Sequence, residues 1–184
     1  MKHTMIIPIM FMLFIIGCED DTSTADDLDV ISDPIQVTTG NMTENSYYYD
    51  LVAGTEAEAA SSWHLAFQMI DVEMAGTTYS MPSLIMGNVA TAVYTDISYN
   101  DLIEAPDQET LQSDAIDNRS VEYTGEYEVI HYNMTTHEVS INEPGRVFVI
   151  YAFATHNVYK VQFLEYQSGI VVFQFNELLS LIHI

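Results

Sequence analysis

Few residues in this chain combine a reactive type with a spacing that reactions use. Cys18 is the only cysteine, which rules out an internal disulfide and a zinc site built on several thiolates. The six histidines lack the spacing of a helix-borne metal site, and no phosphate loop, dinucleotide fingerprint or nucleophile elbow occurs. Acid pairs such as Glu56 and Glu58 have the form of glycosidase carboxylates, but with 27 Asp and Glu in the chain such pairs arise everywhere. The chain is therefore expected not to be an enzyme. Among the imidazoles and thioethers, His131, Met134, His137, Met81 and Met86 carry no motif of their own. Taken singly, His131 reads as a strand residue, Met134 and His137 as loop residues, and Met81 and Met86 as core filler.

The charge balance narrows the choice of partner. Only 4 Lys and Arg stand against the 27 acids, a formal net charge of −23 over 184 residues. Such a field repels phosphate backbones, so nucleic-acid binding is not expected. The length fits about one domain with a hydrophobic core.

Cys18 finds its explanation in what precedes it. After Lys2 and His3, Met5 to Ile16 forms an apolar run of about 12 residues, too short for a spanning helix of roughly 20 and suited to the core of a secretory signal. Ile15-Ile16-Gly17-Cys18 resembles a bacterial lipobox, in which the thiol is acylated and the peptide is cut before the cysteine. The expectation is a signal peptide over residues 1–17 and a protein held at the membrane by lipid on Cys18 alone. Residues 18–34 follow as a tether, with seven acids between Glu19 and Asp33 and no base or aromatic. Such a stretch buries too little to order itself. Acids directly after the cysteine also resemble the surface-export signal of Bacteroidetes lipoproteins, which implies the outer membrane or cell surface.

Residues 35–184 read as a single all-β domain of mostly antiparallel sheets. Arg146–Ala154, Val158–Tyr166 and Ile170–Phe175 are β-rich runs separated by tight turns, a C-terminal meander. Within the second run Val158, Lys160, Gln162, Leu164 and Tyr166 would share one face. Tyr127–Tyr132 and Glu138–Ile141 form a further hairpin. Trp63–Ile70 would be a strand with Trp63 anchoring the core, and Ile35–Thr39, Tyr47–Val52 and Val89–Tyr94 are shorter strands. Glu56–Ala60 and Gln108–Ser113 have helical composition but little length, and Leu178–Ile184 could end a strand or form a short helix.

The order of landmarks resembles the HmuY-like haem-binding lipoproteins of Bacteroidetes. The carriers are SSWHLAFQ (Ser61–Gln68), GTTYSMPSLIMGNVATAVY (Gly76–Tyr94, similar to a glycine-containing connection) and RVFVIYAFATHNVYKVQFLEYQSGIVVFQF (Arg146–Phe175). His64 stands where that family usually has Asp. The resemblance implies an all-β lipoprotein that holds haem between two His or two Met and passes it to a TonB-dependent outer-membrane receptor. It places one ligand in the region of Ile130 to His137, where Tyr132 aligns and His131, Met134 and His137 are adjacent. The other would fall between about Pro106 and Tyr127, which holds neither His nor Met, so either Met81, Met86 or both serve instead or the chain does not bind haem in that family's way. Iron accepts either imidazole or thioether, so His131 and Met134 are the first iron ligands to consider.

Two functions follow as expectations. One is a surface lipoprotein binding haem or a related porphyrin for iron acquisition. The other is a haem-free module for a glycan or protein partner, with Tyr47-Tyr48-Tyr49 as an aromatic platform.

Overall fold

An unbroken apolar run such as Val147–Ala152 is stable in water only if both faces of its strand are covered. The computed structural model, which describes residues 33–113 and 119–178, provides that cover. The strands in chain order are β1 (Ile35–Thr38), β2 (Tyr47–Asp50), β3 (Thr55–Ala57), β4 (Leu65–Met74), β5 (Thr77–Met86), β6 (Val89–Tyr94), β7 (Gln112–Ser113), β8 (Ile130–Asn133), β9 (Glu138–Ile141), β10 (Val147–Ala152), β11 (Val158–Gln167) and β12 (Ile170–Leu178). The fold is all-β. A six-stranded sheet has the order β1-β12-β11-β10-β6-β7, a four-stranded sheet the order β3-β2-β4-β5, and β8-β9 form a separate pair. Every pairing is antiparallel, and β10, β11 and β12 are neighbours in turn, the expected meander.

The main core lies between the two larger sheets. Phe67 on β4 stacks on Phe173 of β12 with ring centroids 5.7 Å apart and meets Phe163 of β11 edge-on at 6.2 Å. Tyr49 on β2 meets Phe173 and Phe175 edge-on. Phe148 and Ile150 of β10 join this core, while Val147, Val149 and Tyr151 point into a second cluster with Tyr99 and Leu102. Lys160 lies on the second side. Its ammonium donates to the carbonyls of Tyr99 (2.8 Å) and Leu102 (2.9 Å) and sits over the Tyr99 ring. Burial holds its pKa below the usual lysine value.

Several elements differ from the sequence reading. Gly76–Tyr94 is not a connection. Thr77–Met86 is a full strand pairing with all of β4 from Leu65 to Met74, because Ala75 (φ 51°) and Gly76 (φ 78°) make a two-residue turn with both dihedrals positive. Pro82 is tolerated because β5 is an edge strand. Glu56–Ala60 contributes to β3 rather than to a helix, and Gln108–Ser113 is a short 3-10 turn followed by β7. In β11 a bulge between Phe163 and Glu165 flips the alternation, so Tyr166 packs against the main core and not on the Lys160 side. Trp63 precedes β4 and is half-buried, with its ring 5.3 Å from Tyr48 on the outer side of the sheet, so it covers the sheet and does not anchor the core. The signal residues, Cys18, the tether up to residue 32 and the tail after Leu178 lie outside the described residues.

Candidate functional site

The far end of the β4–β5 hairpin and the β8–β9 hairpin lie together, and a cavity of about 360 Å3 opens between them. Its lining combines three thioethers, two phenols and one imidazole: Met74, Met81, Met134, Tyr79, Tyr132 and His137, with Ala75 completing the wall. Tyr79 and Met81 are two apart on β5 and so share a face. Met74 ends β4, and Ala75 is in the turn after it. Tyr132 comes from β8, while Met134 and His137 belong to the loop leading to β9.

That loop is shaped by its own sequence. The Asn133 side-chain oxygen accepts the N–H groups of Thr135 (2.8 Å) and Thr136 (3.1 Å), and its carbonyl accepts the N–H of His137 (2.8 Å). Closing the loop requires a left-handed residue, and His137 occupies that position with φ 60°. The conformation brings the His137 ring beside Tyr132, whose phenol oxygen is 2.6 Å from His137 Nδ1. Met134 is left 60 % exposed at the cavity mouth.

Of the five donors picked from the sequence, Met81, Met134 and His137 meet here. His131 and Met86 do not. Neighbours on a strand face opposite ways, so Tyr132 in the cavity sends His131 outward, where its Nδ1 lies 2.7 Å from Glu128 Oε1. Met86 is buried among the main core side chains at the other end of β5.

Three lining residues were not singled out: Met74, Tyr79 and, as a partner of His137, Tyr132. For the last a signal was available. YNMTTH (132–137) and YAFATH (151–156) share a Tyr five residues before a His. In both copies the His has positive φ, its N–H bonds to the residue four before, and its Nδ1 meets the tyrosine oxygen. The second copy differs in place, because Tyr151 belongs to the second core cluster and neither Tyr151 nor His156 lines the methionine-bearing cavity.

The tyrosine platform does not form. Tyr47 and Tyr49 point into the main core, and only Tyr48 faces outward, beneath Trp63. Burial pushes the Tyr47 phenol up to about 12. His64 is also internal. Its Nδ1 accepts the Leu51 N–H at 3.2 Å and is 3.2 Å from Asp50 Oδ1. Burial holds its pKa below the usual value, against the pull of Asp50. Among the described residues no group of three or more His, Cys, Asp or Glu is placed to hold a metal ion. Any metal at the cavity would therefore depend on thioether, phenol and one imidazole. Comparison with family models, curated proteins and solved structures gives no match for this chain.

Proposed function

We propose that this chain is a lipid-anchored protein of the outer membrane or cell surface that carries haem or a related porphyrin as cargo, without altering it, for iron acquisition. One observation supports this above others: two hairpins distant in sequence bring Met81, Met134 and His137 to one cavity. Its lining is chiefly apolar with a few polar groups, the usual character of a small-molecule site, and its volume falls in the lower part of the roughly 300–1,000 Å3 range of such sites. At that size a porphyrin would keep one edge in solvent, which suits transfer to a second protein. Thioether and imidazole are both ligands that haem iron accepts. The likeness of Arg146–Phe175 to haem-carrying lipoproteins supports the same reading, and a TonB-dependent receptor is the partner it calls for. Lipid on Cys18 would set the location.

The test is a hemin titration of the purified protein followed at the Soret band. A saturable shift with near-equimolar stoichiometry is expected, and its absence in both oxidising and reducing buffer would refute the proposal. Alanine at Met81, Met134 or His137 is expected to change the spectrum or affinity, whereas alanine at His131 is expected to leave both unchanged. The anchor is tested separately, by the mass of the protein recovered from membranes: an unmodified Cys18 or an intact leader would refute it.

A further inference from the structure

We infer that the iron ligand supplied by this cavity is the phenol oxygen of Tyr132, with His137 acting as its proton acceptor rather than as a ligand itself. The inference rests on the porphyrin reading above and names the atom that would distinguish haem from other flat apolar molecules.

Three observations carry it. The Tyr132 oxygen and His137 Nδ1 are 2.6 Å apart with ring centroids 6.0 Å apart, and both side chains line the cavity. With His137 in the tautomer that lets Nδ1 accept the phenol proton, Nε2 carries the ring hydrogen and offers iron no lone pair, and Tyr132 lies on the firmer element, strand β8, while His137 comes from the loop. A tyrosine oxygen is an accepted axial ligand of haem iron, and an anionic oxygen suits the harder ferric ion where thioethers suit softer ones. The chemistry balances without a redox step. Aqueous hemin arrives with hydroxide on its ferric iron. Tyr132 gives its proton to His137 Nδ1, the iron–phenolate bond forms as the iron–hydroxide bond breaks, and the departing hydroxide takes the proton from His137 as water.

The second Tyr-His loop provides an internal comparison. Tyr151 and His156 make the same turn and the same contact, so a device that only stiffens a hairpin would act equally at both places. Only the first pair lines the methionine-bearing cavity.

The experiment uses the purified full chain, titrated with hemin and in parallel with metal-free protoporphyrin IX, as wild type, Tyr132→Phe and Tyr151→Phe. Resonance Raman of the wild-type hemin complex is expected to show iron-bound phenolate modes. Y132F is expected to lose those modes and bind hemin at least tenfold more weakly while its protoporphyrin affinity stays within about twofold. Y151F should match the wild type with both ligands. Wild-type binding without phenolate modes, or a Y132F hemin complex identical to wild type, overturns the Tyr132 assignment and leaves the porphyrin reading standing. Failure of the wild type to bind either porphyrin overturns both. The Raman result on wild-type protein decides the matter even if Y132F does not fold.

Discussion

Replacing His137 by alanine and, separately, by glycine divides what its ring contributes from what its backbone costs. At φ 60° the residue is in the left-handed region, which costs an L-residue roughly 1–2 kcal/mol. Glycine avoids that cost but gives back about 0.5–1 kcal/mol through the greater freedom of its unfolded chain. The net advantage of glycine over alanine at this position is therefore about 0.5–1 kcal/mol. Both variants lose the bond to Tyr132, an exposed hydrogen bond of the kind that contributes roughly 0.5–1.5 kcal/mol. His137→Ala is thus expected to fall below the wild type by about 1 kcal/mol, and His137→Gly to lie between the two. For a domain of this size each kcal/mol moves Tm by roughly 2–4 °C, so the two variants should differ by about 1–4 °C. Paired thermal and urea melts measure the gap. Hemin titration should find the two equally impaired, because neither has the ring. An alanine variant as stable as the glycine variant would refute the left-handed assignment, and with it the loop geometry that sets the ring on Tyr132.

Other perturbations test the frame around the site. Phe67→Ala, at the centre of the inter-sheet aromatic cluster, should cost about 3–5 kcal/mol in urea unfolding; a loss under about 1 kcal/mol would contradict that packing. Gly169→Ala should cost at least about 1 kcal/mol by the same measure, because φ is 88° and a new Cβ would collide with the Asn41 side chain, which holds Thr43. Burial raises the Tyr47 and Tyr159 phenols from 10.0 to about 12. The unfolded chain then releases protons the folded one keeps, so stability should be full below pH 10 and decline as pH rises toward 12; Tyr47→Phe and Tyr159→Phe should each flatten that decline in pH-dependent melts. His64 behaves in the opposite sense: with its folded pKa lowered, its contribution is present above pH 6.5 and lost as pH falls through and below it. His64→Asn should remove that acid limb, and an unchanged limb would clear His64 of responsibility.

The sequence alone determined the class of fold. Continuous and alternating runs of β-branched and aromatic residues need only local geometry to be read, so the meander β10–β11–β12 and the hairpin β8–β9 were legible before any contact was known. Even there a single extra residue in β11 escaped notice, since a bulge leaves no mark on composition, and it moved Tyr166 to the other face. Strand β5 was hidden because Gly76 and Pro82 are also what loops contain; only its pairing along the whole of β4 distinguishes it.

The site belonged to the tertiary structure. Met81 and Met134 are 53 positions apart along the chain, and no periodicity links them. They meet because the β4–β5 hairpin projects far enough to reach β8. Strand parity then decided between adjacent candidates, bringing Tyr132 into the cavity and turning His131 out to Glu128. A one-dimensional pattern specifies which side chains share a face, but which face meets another element depends on how the sheets close over their common core.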